Sequence, residues 1–241
     1  SSEDLSLEVD GVVKPLRIAM KRAEKTGLYY GYMTRGDLQV RLIDYACPGE
    51  FWISRLIMID NISATASHDV RVRATVVPRI DSGMTQWLVQ DADHNRCGVA
   101  LQADTTTEVI YGGKTIANKS VVISFTTPGT AYRNANTYTL ETPISHLAAH
   151  CAYQVALGHY FREDATSDSQ CVSAIRSMKS VDNLEKSITD WQAWFDQVAP
   201  AYQLSRIKDD RARHLVEGGL AIIKTNQSQD GGIIAHSTFY K

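Results

Sequence analysis

No apolar run in this sequence approaches the roughly 18 residues needed to span a bilayer, which excludes a membrane-crossing helix. Ser1 to Asp10 carries neither a basic segment nor an apolar one, so no signal peptide is expected there. Cysteine is scarce. Cys47, Cys97, Cys151 and Cys171 lie far apart and form no CxxC pair, so neither a zinc site nor a dithiol redox motif is expected, and the thiols read as small buried or idle groups. An excess of one charge sign is also lacking. Lys and Arg number 25 against 27 Asp and Glu, a net −2, too weak a field to draw in nucleic acid or a membrane surface. No P-loop, GxGxxG or GxSxG occurs, which removes the usual signatures of nucleotide binding and serine hydrolysis. No cofactor and no metal is expected.

Apolar residues make up 44% and charged residues 22% of the 241 positions, enough for one large domain, or one domain and part of another. The first 140 residues read as strands. Leu5 to Val9, Leu28 to Met33 and Leu38 to Ile43 are short β-rich runs, and Phe51 to Ile59 is a longer apolar one. The alternation is clearest at Val70, Val72, Ala74 and Val76, with Arg71, Arg73 and Thr75 between them. A period of two puts one set on each face. Trp87 to Val89, Gly98 to Gln102, Glu108 to Tyr111 and Val121 to Phe125 follow, separated by turn signals such as Asp60-Asn61, Gly112-Gly113 and Pro128-Gly129. Strands with one buried face and no intervening helix imply antiparallel sheets packed as a sandwich.

From residue 141 the period changes to that of a helix. Thr142-Pro143 reads as a helix start, followed by Ile144, Leu147, Ala148, Cys151 and Val155 at helical spacing. Asp168-Ser169 reads as a loop. Asp182 and Glu185 have the spacing of a capping box, and Leu184, Ile188, Trp191, Phe195 and Val198 form an apolar stripe before Pro200. A third helix is predicted from about Leu204 to Lys224, with Ile207, Leu215, Val216, Leu220, Ile222 and Ile223 among its apolar positions. Gly218-Gly219 weakens that helix by roughly 1 kcal/mol per glycine, for which the close approach of a neighbouring helix is the expected reason. The expected fold class is α+β, an antiparallel β-sandwich over residues 1–140 and a helical segment over 141–241.

Three stretches carry a resemblance. Arg55 to Asn61 with Ser67 to Val72 looks like two paired strands of a sandwich. Trp191-Gln192-Ala193-Trp194-Phe195 is similar to a tryptophan-bearing linker helix. Leu220 to Lys224 followed by Asp230-Gly231-Gly232-Ile233-Ile234-Ala235 looks like a first barrel helix and the turn after it. Together they resemble the N-terminal part of glycoside hydrolase family 15, the bacterial and archaeal glucoamylases and glucodextranases, with disaccharide phosphorylases as related sandwich-plus-barrel enzymes. The resemblance implies that residues 141–241 are linker helices and the start of an (α/α) barrel. It implies an exo-acting, inverting hydrolase of terminal glycosidic bonds whose catalytic glutamates lie outside these residues. An oligo- or polysaccharide is the implied substrate, and the rest of the barrel, in the same or a second chain, the implied partner. Asp230, His236, Thr238, Phe239 and Tyr240 would then line the sugar pocket, with aromatic faces for the C–H face of the ring and polar groups for its rim.

Other candidates read more simply. Glycoside inversion needs two carboxyls roughly 6.5–9.5 Å apart across the bond. Asp209-Asp210, Glu163-Asp164 and Asp91 with Asp93 are too near in sequence to face each other across a sugar, and read as solvated charges. His146 and His150, four apart on a predicted helix, lack the Glu of HExxH and read as an exposed or structural pair. Trp191 and Trp194 read as core. The sequons Asn61-Ile62-Ser63, Asn118-Lys119-Ser120 and Asn226-Gln227-Ser228 carry little weight. The competing function is a non-catalytic carbohydrate-binding or scaffold protein. Hydrolysis and phosphorolysis are not distinguished.

Overall fold

The computed structural model describes residues 2–46, 52–78, 84–103, 110–111, 114–115, 120–162, 167–178 and 181–225. Two antiparallel sheets pack face to face. The smaller joins β1 (Ser2–Val9), β2 (Val12–Pro15), β7 (His68–Val77), β13 (Thr130–Asn134), β14 (Thr137–Glu141) and β15 (Ser145–Leu147), with β7 between β1 on one side and β14 and β15 on the other. The larger runs β3 (Lys21–Arg22), β4 (Tyr29–Arg35), β5 (Leu38–Tyr45), β6 (Trp52–Asn61), β16 (Ala152–Arg162), β12 (Ser120–Phe125), β9 (Arg96–Ala103) and β8 (Met84–Asp91). A separate two-residue pair joins β10 (Ile110–Tyr111) and β11 (Lys114–Thr115).

The alternation of β7 does what its period demands. Val70, Val72, Ala74 and Val76 are buried in the core between the sheets, against Val40, Ile57, Ile59, Val99 and Leu157 of the larger sheet. Arg71 and Arg73 point the other way and pair with Glu8 and Glu141 on the outer face. Strand β6 is buried on both faces, because Ile57 and Ile59 enter that core while Leu56 and Met58 lie under helices. That explains its continuous apolar character.

Strands β6 and β7 do not pair with each other, contrary to the sequence expectation. Strand β6 pairs with β5 and β16, and β7 with β1, β14 and β15, so the chain crosses from one sheet to the other between them. Asn61 builds the corner. It is buried, and its side-chain amide donates to the carbonyls of Ala66 (2.8 Å), Leu147 (3.0 Å) and Ala148 (3.1 Å), while its oxygen accepts from the Ser63 N–H. A side chain so engaged is not a free glycosylation acceptor.

The helix expected from Thr142 is strand instead. Tyr153, Val155 and Leu157 alternate into the sandwich core, and Ala156 and Gly158 present small surfaces to the helical side. Thr142 belongs to the sheet edge, donating its N–H to Val72 O at 3.0 Å and accepting the Val72 N–H at its hydroxyl. The sandwich strands therefore continue to Arg162, past the boundary near residue 140. His146 and His150 stand on β15 and in the following turn, not on one helix face.

The three helices lie on the outer face of the larger sheet. Helix α1 (Asp168–Ser177) starts where a loop was expected. Ser167 caps it, with its hydroxyl accepting from Gln170 N and the Gln170 side chain returning to Ser167 N, and Cys171, Ala174 and Ile175 pack on β8, β9 and β12. Helix α2 (Val181–Ala201) buries the expected stripe, Trp191 and Phe195 at its centre. Asp182 sits inside its first turn rather than capping it. After a 3-10 turn at Leu204–Arg206, helix α3 (Asp210–Thr225) is capped by Asp209, whose carboxylate accepts from the N–H groups of Arg211 and Ala212. The fold is α+β with a β-sandwich. The described helices do not show the start of a barrel. Among the described residues no helix is long and apolar enough to cross a membrane.

Candidate functional site

Asp230, His236, Thr238, Phe239 and Tyr240 lie outside the described residues, as do Cys47, Glu163, Asp164, Asn118 and Asn226. Asp91 is not a solvated charge. It is buried, takes a two-pronged hydrogen bond from Arg176 (Nη2 at 2.6 Å, Nε at 3.0 Å) and meets His94 Nδ1 at 2.9 Å. Arg176 also reaches exposed Asp93 at 2.6 Å. The guanidinium holds the Asp91 carboxyl below the usual carboxylate range, and the cluster fastens α1 to the end of β8. Of the thiols, Cys171 is buried, Cys97 partly so, and Cys151 exposed. Among the described residues no group of three or more His, Cys, Asp or Glu is placed to hold a metal ion.

Two features of the helical side remain, and both involve α3. Its inward face carries Glu217, Leu220 and Ala221, all buried. Its outward face exposes Leu215 (71%), Val216 (40%) and Ile223 (49%), so Leu215 and Val216 are not the core positions their apolar character suggests. Gly219 lies on the same exposed side, with no atom of the described residues within 4 Å of where a Cβ would stand, and the nearest neighbour of a Cβ at Gly218 is Arg22, at 3.4 Å. Among the described residues no neighbouring helix approaches the glycine pair.

The second feature is a cavity of about 450 Å³ between the Glu24-Lys25 turn, the end of α2 and the start of α3. Beside it, Arg22 ties β3 to α3. That side chain is almost buried and donates to the carbonyls of Ala23 (3.2 Å), Thr26 (3.1 Å) and His214 (2.8 Å), with His214 Nδ1 at 3.2 Å. Glu217 lines the cavity with its side chain only 5% exposed. Its nearest cation is Arg22, at 3.6 Å, and among the described residues nothing donates a hydrogen bond to its carboxylate. Glu24, Asp196 and Asp210 supply further carboxylates to the lining, Lys25 and Arg213 the cations, and Ala199 and Leu204 an apolar wall. Of the charged members the sequence reading named only Asp210, in the Asp209-Asp210 pair, and took it for a solvated charge. The available signal was helical phase, since Glu217 lies three and four positions before Leu220 and Ala221.

No protein-family model matches the sequence, and comparison with curated proteins finds no match. Among solved structures, a protein assigned as a kojibiose phosphorylase from the human microbiome aligns with a TM-score of 0.52 at 11% identity. The alignment covers 81% of this chain and 27% of that one, so this chain spans about a quarter of the neighbour's length. A protein assigned as an aldose 1-epimerase from Klebsiella pneumoniae aligns at 11% identity over 68% of this chain and 55% of its own, but its TM-score of 0.39 is too low to carry weight. At such identities the phosphorylase match is a likeness of fold alone.

Proposed function

We propose that this chain is the β-sandwich portion of a larger enzyme that cleaves terminal glycosidic bonds. Its catalytic carboxylates lie outside residues 1–241, and its helical part covers the exposed face of α3. The observation that carries the reading is that face: Leu215, Val216 and Ile223 stand exposed on one helix of a sandwich whose fold matches a quarter of a longer phosphorylase. The likeness to glucoamylases in Trp191 to Phe195, and in Leu220 to Lys224 with the Asp230 to Ala235 turn, favours inverting hydrolysis. The phosphorylase neighbour favours the second reading, attack by phosphate on the same class of bond. In either case the sandwich serves as the platform on which the catalytic helices rest, and Asp230 to Tyr240 would enter the sugar pocket.

The test is to purify the native protein from its source, measure its mass and assay maltose, trehalose and kojibiose with and without inorganic phosphate. Turnover by the native protein, absent from the isolated 241-residue chain, is expected. Phosphate dependence separates the two readings. A native protein of this mass alone, inert on every disaccharide, would falsify the proposal.

A further inference from the structure

We infer that the cavity between α2, α3 and the Glu24-Lys25 turn binds a neutral polyhydroxylated ligand, a mono- or disaccharide. The inference does not rest on the preceding reading, since a sandwich that is no part of a glycosidase would keep the cavity. Its volume of about 450 Å³ falls within the roughly 300–1,000 Å³ of small-molecule sites. The decisive group is Glu217. A carboxylate with a side chain 5% exposed ordinarily accepts several hydrogen bonds, because burial strips its water. Among the described residues this one accepts none and faces open space, with Arg22 held off at 3.6 Å by its own bonds to three carbonyls.

The lining selects the class of donor. A phosphate or carboxylate ligand would meet Glu24, Asp196, Asp210 and Glu217. A polyamine would meet Lys25, and Arg213 in its pair with Asp210. A single metal ion finds no group of three ligands among the described residues. A hydroxyl donates to carboxylates and accepts from cations, so a ligand made of hydroxyls suits a lining of mixed sign. Its C–H groups would lie on the apolar wall of Ala199 and Leu204.

Calorimetric titration of the full 241-residue chain with glucose, maltose and trehalose tests this, with spermidine, inorganic phosphate and Ca²⁺ as controls. At least one saccharide should saturate at a Kd on the order of millimolar, and the controls should not compete with it. Glu217→Gln should weaken the saccharide by about tenfold. That variant removes one partner of a buried ion pair and risks unfolding, so Asp196→Asn and Lys25→Gln, both at exposed positions, are the companion variants. Weaker saccharide binding in either, with an unchanged melting curve, supports the site. Failure of every saccharide to saturate, displacement by a control, or unchanged affinity in both exposed variants overturns it.

Discussion

The indole of Trp191 lies directly over Gly27, so close that a Cβ there would fall 2.3 Å from Cζ2. The ring is wholly buried and donates its N–H to the Ala46 carbonyl at 2.8 Å, an acceptor shared with the Ser187 hydroxyl at 2.7 Å. One carbonyl near the end of β5 thus fixes α2 on the sheet, and one missing side chain makes room for it. Gly27→Ala should therefore force Trp191 away and cost about 1–3 kcal/mol, as overpacking does. Denaturant melts of the two proteins measure it. Equal midpoints would mean that the ring yields freely and that the contact is not a constraint.

Gly219 gives the opposite expectation. It stands in an exposed helix interior with no atom of the described residues within 4 Å of a Cβ position, so Gly219→Ala gains helix propensity without a clash among them. The isolated chain should become more stable by roughly 0.5–1 kcal/mol. If the glycine instead serves close packing against the rest of a larger enzyme, the same change weakens assembly. A rise in melting temperature of the chain paired with weaker assembly is the expected result. A lower melting temperature would show that α3 is already packed at this point.

Where one periodicity dominates, the residues announce the structure. Val70 to Val76 and the stripe from Leu184 to Val198 have one period each, and both elements form as expected. Residues 144–155 misled because Ile144, Leu147, Ala148, Cys151 and Val155 satisfy a helical spacing. Only the partners across the sheet, such as Ile57 opposite Val155 and Leu56 opposite Ala156, select the strand. Asp168 and Ser169 looked like a loop because the polar residues that start a helix resemble those of a turn; Ser167 and Gln170 close the capping box there. The cavity was illegible for a different reason. Arg22 and Glu217 are 195 positions apart and ordinary in isolation, and only the packing of α3 beside the short strand β3 brings them together.

His68 joins the two sheets through charge. Its Nδ1 is 2.7 Å from Asp10 in the β1–β2 turn, and its Nε2 is 3.7 Å from Asp37 in the β4–β5 turn of the other sheet. Asp69 and His146, themselves paired at 2.9 Å, stand beside it. The hydrogen bond to Asp10 raises the His68 pKa above 6.5 against the opposing effect of burial, and the same bond lowers that of Asp10. A raised histidine pKa adds stability that is complete below the unfolded value and lost as pH rises through the folded one. A lowered aspartate pKa adds stability that is lost as pH falls below 3.8. The melting temperature should thus decline as pH rises from 6.5 through the raised pKa of His68, and His68→Gln should flatten that decline. A variant with the parent's pH profile would remove His68 from the account.

The exposed apolar face of α3 yields the last expectation. Leu215, Val216 and Ile223 contribute little to the fold of the chain as it stands, because they already face solvent. Leu215→Glu with Ile223→Lys should leave folding stability within about 0.5 kcal/mol, the usual range for surface changes away from special features. The two positions are eight apart, two turns along one side of the helix, so the pair of charges would interrupt the whole face. The unaltered chain should bind a hydrophobic dye and self-associate as its concentration rises, and the double variant should do neither. If the chain belongs to the larger enzyme proposed above, the same changes should weaken attachment of the sandwich to the catalytic part without altering the sandwich itself. Light scattering and dye fluorescence read the first effect, and co-purification of the two parts after proteolytic nicking reads the second. A double variant that melts several degrees lower would show that these side chains pack within the chain. One that keeps both dye binding and assembly would show that some other surface joins the two parts.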